Sequence, residues 1–146
     1  MGKILKLGTI LMVFCVISAA GLAYVYMFTQ PRIEANAKLT YDQSVKEVLP
    51  TDGKAIETSP RGYSNTINLL VGVDARGKVI GIKVLSQQET PGLGANIVKP
   101  EFLKQFIGKS ARDPIEANKD IDAITGATIS TRAVCRGVKE AIEKAK

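Results

Sequence analysis

The sequence contains no histidine and no tryptophan, and only two of its 146 residues are cysteine. The lack of histidine excludes triads that use histidine, haem ligation by histidine and zinc chemistry of the HExxH type. A structural zinc site or a cysteine-ligated iron–sulfur cluster needs about four ligands, which two cysteines cannot supply. Cys15 lies in an apolar run and Cys135 near the other end of the chain, so we expect no disulfide between them. We therefore predict no metal site and no catalytic residues based on histidine.

Acidic residues are absent from the first 31 positions, and the same stretch contains a long run without charge. This run, residues 7–28, is 22 residues long. About 20 predominantly apolar residues are enough to cross a bilayer as one helix. Lys3 and Lys6 precede the run, so the excess of basic residues predicts that residues 1–6 are cytoplasmic. The rest of the chain is then expected on the other side of the inner membrane, in the periplasm or another extracytoplasmic space.

A cleaved signal peptide is the alternative explanation of this apolar run. The segment SAAGLA offers small residues for cleavage. Apolar residues continue past it from Tyr24 to Phe28, however, and the run exceeds the roughly 7–15 residues of a signal peptide's apolar region. Cys15 follows Phe14 rather than a small residue, which argues against lipoprotein cleavage. We therefore favour an uncleaved single-pass anchor in the lipid bilayer.

The charge outside the anchor is only mildly unbalanced. Of the 20 basic residues, Lys3 and Lys6 are the two that precede residue 32, which leaves 18 basic and 14 acidic side chains, a net charge of +4. The excess is spread along the chain and forms no run of lysine or arginine. Such a surface could attract an anionic cofactor or lipid headgroups, and we expect no nucleic-acid partner.

The segments that follow the anchor predict a helix and then a hairpin. Residues 29–50 have apolar side chains at three- and four-residue spacings, which predicts a connecting helix that ends at Pro50. The next segment, TDGKAIETSPRGYSN, is rich in turn residues and predicts a short edge strand at most. TINLLVGVD and KVIGIKVLSQ flank the polar segment DARGK, which predicts a β-hairpin with Gly77 at a positive φ in its turn.

The last third of the chain adds helices to this sheet. KPEFLKQFIGK predicts a short amphipathic helix with Gly108 at its end, and IDAIT predicts one more short strand. Residues 130–145 predict a helix with an apolar stripe. Residues 51–146 are therefore expected to form one small α+β domain, with an antiparallel sheet and flanking helices.

The stretch DAITGATIST, residues 122–131, precedes the last predicted helix and carries four hydroxyl side chains: Thr125, Thr128, Ser130 and Thr131. A helix N-terminus has unpaired N–H groups and the positive end of the helix dipole, and Gly126 and Ala127 add little bulk there. Such a site suits a phosphate, and a threonine hydroxyl could be esterified. The simpler interpretation is that Thr128 or Ser130 is the N-cap, and the spacing alone favours it.

The segment DAITGAT resembles the flavinylation motif Asp-x-x-(Ser/Thr)-Gly-Ala-Thr of FMN-binding domains in membrane electron-transport complexes. In that family a flavin transferase joins the phosphate of FMN to the last threonine by a phosphoester bond during maturation. The resemblance implies that Thr128 carries covalent FMN. It also implies that the other motif residues are read by the transferase and shape the phosphate site: Asp122, Thr125, Gly126 and Ala127.

A second segment, ETPGLGANI at residues 89–97, resembles the loop that these domains place beside the flavin. The hairpin that precedes it and the N-terminal anchor resemble those of the family as well. The resemblance implies a loop that binds the cofactor and is formed by Glu89, Thr90, Gly92, Leu93 and Gly94. Backbone amides of this loop would bind the flavin or its ribityl chain, and Leu93 would contact the ring.

Within this family the chain is most similar to the G subunit of Rnf complexes. That similarity implies a flavoprotein electron carrier without turnover of its own, in a ferredoxin:NAD oxidoreductase coupled to ion translocation. Its partners would be the other membrane subunits of the Rnf complex, including a second subunit that carries flavin. The C subunit of the sodium-translocating NADH:quinone oxidoreductase is the next resemblance. The segment between EVLP and RGYSN is shorter here than in both subunits, and the C subunit is larger still.

Two functions outside this class stay open at the level of sequence. The chain could be a membrane-tethered binding or sensory module that holds a phosphorylated ligand reversibly at the helix N-terminus. It could also be a structural subunit that keeps the fold without the cofactor.

Overall fold

The structure is a computed structural model that describes residues 2–49 and 52–146. The chain divides into two compact units, Met1–Thr40 and Tyr41–Lys146. The first helix, α1 (Gly2–Val48), begins in the first unit and ends in the second.

Helix α1 runs without interruption through the apolar run and the polar segment after it, with Pro31 inside the helix. Its most apolar 18-residue window has a mean hydropathy of 2.2, and 0% of that window is buried. Among the described residues, α1 is the one helix that is long and apolar enough to cross a membrane, which fits a single-pass membrane protein. The connecting helix predicted from the sequence is the continuation of this helix. Its predicted end, Pro50, lies outside the described residues.

Three antiparallel strands form a sheet in the order β1 (Gly53–Thr58), β2 (Asn68–Asp74) and β3 (Val79–Ser86). The predicted hairpin is therefore confirmed, and the predicted edge strand pairs with β2. In the hairpin turn, the Gly77 N–H donates to the Asp74 carbonyl at 3.0 Å, and Gly77 has φ +76. A residue without Cβ adopts this positive φ at little cost, which explains the glycine in the turn.

The central strand β2 is buried on both faces. Leu69, Val71 and Val73 point to one face and belong to the main hydrophobic core with side chains of the last helix. On the other face, Gly72 lies beside Gly81 of β3, and the end of α1 packs there. A Cβ on Gly72 would begin 2.8 Å from Val48 Cγ1, so the missing side chains let the helix end approach the sheet closely.

The last helix, α3 (Thr128–Ala145), carries the apolar stripe expected from its sequence. The buried side chains of that stripe are Val134, Val138, Ala141 and Ile142. Gly137 allows α3 to approach the sheet, because a Cβ there would begin 2.7 Å from Leu69 Cδ1 and 2.8 Å from Pro60 Cγ. The sheet and α3 thus fix the position of the helix N-terminus, where the candidate site begins.

Two predicted elements differ from the structure. The single helix expected around residues 99–109 is divided into a short α2 (Pro100–Leu103) and a 3-10 helix (Lys104–Phe106), and an additional 3-10 helix (Gly94–Val98) precedes them. Phe102 and Phe106 are both buried and pack edge to face, with ring centroids 5.4 Å apart, so both rings belong to the core despite the broken helix.

The strand predicted at IDAIT is also wrong. Ile121 forms an isolated bridge with Ala117, and residues 122–127 belong to no strand or helix. Side chains take the N–H groups that a strand would pair: Asp122 N–H donates to Gln105 Oε1 at 2.7 Å. Ile124 N–H donates to the hydroxyl of a residue in α3, as described below.

Candidate functional site

The segment before α3 is a tight turn held by a threonine of the helix itself. The Ala127 N–H donates to the Ile124 carbonyl at 2.9 Å, and Gly126, the third residue of this turn, has φ +76. A type II turn needs a positive φ at that position. Thr131 Oγ1 accepts from the Ile124 N–H at 3.2 Å and donates to the Ala127 carbonyl at 3.1 Å. The turn and the first turn of the helix are therefore one hydrogen-bonded unit.

Helix α3 begins at Thr128, and its N-cap is Ala127, which has no side chain that could cap it. The expectation that Thr128 or Ser130 is the N-cap is wrong, because both lie inside the helix. Thr131 Oγ1 accepts from the turn before the helix, so the N–H groups of the first helical residues have no side-chain cap. Thr128 is half-buried, and its hydroxyl forms no hydrogen bond with any residue that the structure describes. The hydroxyl is thus free for chemistry.

Glu89 is 5% exposed, and both oxygens of its carboxylate accept hydrogen bonds. Oε2 accepts a short hydrogen bond from Ser130 Oγ and one from the Tyr63 N–H at 3.2 Å. Oε1 accepts from the N–H groups of Ser64 at 3.1 Å and Asn65 at 3.5 Å. We call Glu89, Ser130 and the three amides the Glu89 network. It joins the loop before β2, the loop after β3 and the first turn of α3.

The ionisation of Glu89 follows from these contacts. Burial works to raise the pKa of the Glu89 carboxyl, but the hydrogen bonds from Ser130 and from residues 63–65 outweigh it and hold the pKa below its ordinary value. The side chain is therefore an anion at neutral pH. Both carboxylate oxygens accept hydrogen bonds within the protein, so Glu89 holds three segments of the site together. The expectation that Glu89 contacts the cofactor stays a prediction.

The loop after Glu89 begins with a turn built on Pro91 and Gly92. The Leu93 N–H donates to the Thr90 carbonyl at 3.2 Å, and Gly92 has φ +78. The Leu93 amide is therefore engaged, although the sequence predicted it to be available to a cofactor. The N–H groups of Thr90, Gly92 and Gly94 donate to no residue within the described ranges 2–49 and 52–146.

Two glycines bring the loop and the start of α3 into contact. A Cβ on Gly94 would begin 2.7 Å from Ser130 Oγ and 2.9 Å from Glu89 Oε2. A Cβ on Gly126 would begin 3.0 Å from Leu93 Cδ2. The fold thus brings together the two segments singled out in the sequence, although 24 residues, 98–121, separate them. Leu93 is 45% exposed and Ile129, next to Thr128, is 51% exposed, so apolar surface lies beside the free hydroxyl.

The remaining motif residues differ in exposure. Asp122, Thr125 and Gly126 are exposed, and Ala127 is buried. The Asp122 carboxylate forms no hydrogen bond or ion pair in the part of the chain that the structure describes. These residues leave the start of α3 open to a large reagent such as an enzyme.

The role of residues 63–65 was not predicted from the sequence, and Ser130 was expected only as a helix cap. Almost any residue type can donate a hydrogen bond through its backbone amide, so the sequence RGYSN does not predict the contact of this segment with Glu89. Gly62 is the available signal, because a Cβ there would collide with Glu89 Oε1 and begin 2.9 Å from the Asn65 carbonyl oxygen. Only a glycine lets this loop wrap closely around the carboxylate.

A phosphate group fits the start of α3. The N–H groups of the first helical residues, Thr128 to Ser130, have no acceptor within the helix, and the positive end of the helix dipole lies there. Gly126 and Ala127 leave room for phosphate oxygens, and the Thr128 hydroxyl is free. A phosphorylated cofactor is therefore compatible with the residues present.

Two family models together match most of the chain. The FMN-binding domain family matches residues 62–143, which include both loops and most of α3. The RnfG N-terminal region matches residues 1–48, the length of α1.

Individual relatives are G subunits of ion-translocating complexes in different organisms. The G subunit of the proton-translocating ferredoxin:NAD(+) oxidoreductase complex of Clostridium ljungdahlii is 36% identical, over 92% of this chain and 87% of that protein. The G subunit of the ion-translocating oxidoreductase complex of Pseudomonas aeruginosa is 44% identical, over 58% of this chain and 44% of that protein. The G subunit of the Na(+)-translocating ferredoxin:NAD(+) oxidoreductase complex of Acetobacterium woodii is 37% identical, over 62% of this chain and 48% of that protein. The chain thus aligns with about half the length of the last two relatives.

Proposed function

This chain belongs to the FMN-binding domain family, and from that premise we propose that it is an electron-carrier subunit with FMN joined to Thr128 by a phosphoester bond. The single observation that carries the proposal is the free hydroxyl of Thr128 at the open N-terminus of α3. The bound flavin would supply the redox chemistry, while the chain tethers and orients it. A covalent link would also prevent loss of the cofactor from an extracytoplasmic domain.

The backbone at the start of α3 holds the phosphate in this proposal. The free N–H groups of residues 128–130 would donate to phosphate oxygens, and the helix dipole would favour their negative charge. Neither interaction needs a basic side chain. The tight turn at Gly126, fixed by Thr131, keeps these amides pointing to one place.

The motif residues before Thr128 have a separate role, in recognition by a flavin transferase. Asp122 and Thr125 are exposed, and the Asp122 carboxylate has no partner among the described residues, so an enzyme could read both. Ala127 is buried at the N-cap, where a larger side chain would disturb the turn.

The loop after Glu89 would contact the rest of the flavin. The exposed amides of Thr90 and Gly92 would be available to polar atoms of the ring or the ribityl chain, whereas Gly94 is buried beneath them. The exposed side chains of Leu93 and Ile129 offer apolar surface to one face of the ring. Glu89 would position this loop against α3 through its hydrogen bond with Ser130.

The names of the relatives suggest where such a carrier works. The G subunits of Rnf-type complexes are named for ferredoxin:NAD(+) oxidoreductases that translocate protons or sodium ions. By analogy, this chain would relay electrons between neighbouring membrane subunits, including a second flavin subunit, and would have no independent turnover. The basic residues before the apolar run support a cytoplasmic N-terminus and an extracytoplasmic FMN domain.

The test is the replacement Thr128→Ala in the full chain, produced together with a flavin transferase. We expect the wild-type chain to carry the added mass of FMN on the peptide that contains Thr128, and yellow colour that survives denaturation. The variant should lose both while circular dichroism shows the same fold. Thr66→Ala is the matched control, because Thr66 is exposed and lies outside both motifs.

Each outcome distinguishes the proposal from its rivals. Wild-type Thr128 that stays unmodified would refute covalent attachment. Flavin that binds but leaves on denaturation would indicate the reversible binding module instead. A chain that assembles into its complex without any flavin would indicate a structural subunit.

A further inference from the structure

A wide hollow of about 1370 Å³ lies at the end of the domain where β2 turns into β3. Four segments line it: the start of β1, the β2–β3 turn, the loop after the second 3-10 helix, and the end of α3. Val73 and Ile142, each 1% exposed, are among the apolar residues that line it. We call it the basic hollow because of the charges described next.

Basic side chains outnumber acidic ones in the lining. The lining includes Lys54, Arg76, Lys78, Arg112 and Lys146 as bases, and Asp52, Asp74 and Asp113 as acids. Two of the acids already accept hydrogen bonds from neighbouring residues. Asp74 Oδ1 accepts from the N–H groups of Arg76 and Lys78, both at 2.8 Å. Asp113 Oδ2 accepts from the Ser110 N–H at 2.8 Å and from its hydroxyl at 2.9 Å.

Three of the basic side chains make no hydrogen bond or ion pair among the described residues, unlike Lys54. Lys54 Nζ donates to the Ala145 carbonyl at 3.2 Å, at the negative end of the α3 dipole. In residues 2–49 and 52–146, the side chains of Arg76, Lys78 and Arg112 form no ion pair and no hydrogen bond. All three are exposed. Their charges are therefore available to an external anionic group.

The basic hollow lies far from the candidate cofactor site. Thr128 is the first residue of α3, and Ala145, its last residue, lines the hollow. Eighteen helical residues at about 1.5 Å each place these ends about 26 Å apart. A partner bound in the hollow would leave the Thr128 end uncovered.

We propose that the basic hollow is the docking site for a protruding acidic segment of a partner protein. Its sign of charge selects aspartate and glutamate side chains. The hollow is open to solvent and is lined by four separate segments of the chain, which suits a protein segment better than one small anion. A bilayer surface is flat and does not fill a concave surface, whereas a loop or chain end does. The inference rests on the proposed function only in taking the partner to be another subunit of the same complex.

The test uses the full chain, affinity-tagged and isolated with its complex in mild detergent. Arg76→Glu combined with Arg112→Glu reverses two charges that make no internal contact through their side chains. We expect the other subunits recovered with the chain to fall about tenfold or more, while FMN per chain stays unchanged. Lys99→Glu combined with Lys104→Glu is the control, since both are exposed, lie outside the hollow and give the same change in charge.

A neutral variant and added salt sharpen the result. Arg76→Gln combined with Arg112→Gln should give an intermediate loss, and wild-type association should weaken at about 1 M salt, where the screening length is about 3 Å. Recovery of the partner subunits at wild-type level with the Glu variant would overturn the proposal. The proposal would also be overturned if the Glu variant kept its partner subunits but lost binding to vesicles of anionic lipid, since that would identify a membrane as the occupant. A wild-type complex that lacks FMN would refute the proposed function but would leave this comparison interpretable.

Discussion

At the scale of single residues, the buried carboxylate of Glu89 connects three chain segments through four hydrogen bonds. Glu89→Gln keeps the size of the side chain but replaces one acceptor oxygen with an NH₂ group. That group must face N–H or O–H donors, which then lack an acceptor in a buried place. We expect the free energy of unfolding at pH 7 to fall by about 2–4 kcal/mol, measured by urea unfolding of the full chain in detergent micelles.

The control and the pH dependence make this prediction specific. Glu101→Gln, at an exposed position, should change the free energy of unfolding by less than about 0.5 kcal/mol. Because the pKa of Glu89 is lower in the folded chain, its contribution is complete above the ordinary value of 4.5 and is lost as the pH falls through the folded value. The difference between wild type and Glu89→Gln should therefore shrink on acidification. Equal stabilities at pH 7 would show that the Glu89 network contributes nothing.

At the scale of elements, the turn at Gly126 sets both the start of α3 and its contact with the loop after Glu89. Gly126→Ala places a Cβ at φ +76 and 3.0 Å from Leu93 Cδ2. Gly77→Ala has the same φ, +76, but nothing lies within 4 Å. Both variants should lose about 1–2 kcal/mol of stability from the positive φ. Only Gly126→Ala should also displace Leu93 and reduce the fraction of chains that carry FMN, measured by intact mass.

This pair of variants separates two causes that one substitution would mix. Backbone strain is common to both glycines, so any difference in flavin content comes from the contact between the loop and the turn. Equal flavin content in Gly126→Ala and Gly77→Ala would show that the position of Leu93 does not matter for attachment.

The elements that could be predicted from the sequence are those with local causes. The hairpin follows from two β-branched segments around Gly77, and α3 follows from its apolar stripe. The strand at residues 121–125 was wrong because Gln105 and Thr131 accept the N–H groups of Asp122 and Ile124. The hydroxyl N-cap was wrong because α3 begins at Thr128, with Ala127 at its N-cap. Likewise, Glu89 and Ser130 both lie in segments singled out from the sequence, but the hydrogen bond between them is visible only in the folded structure.

At the scale of the whole molecule, the prediction concerns which side of the membrane each end of the chain occupies. The native cysteines give little background for labelling with a membrane-impermeant maleimide. Cys15 lies in the apolar run, and Cys135 is 4% exposed. Burial, together with the charge of Asp120, raises the pKa of the Cys135 thiol to about 11, so it is protonated at neutral pH as well as shielded.

Single cysteines introduced at Gly2 and Ser64 then report the topology, since both positions are exposed and both lysines before the span are kept. In intact spheroplasts we expect the reagent to label Ser64→Cys and to leave Gly2→Cys unlabelled until the membrane is broken, because basic residues before an apolar span stay in the cytoplasm. The unsubstituted chain is the control and should stay unlabelled in both conditions. Labelling of Gly2→Cys but not Ser64→Cys in intact spheroplasts would reverse the orientation. In that case the flavin domain would face the cytoplasm, where a covalent link is not needed to retain the cofactor.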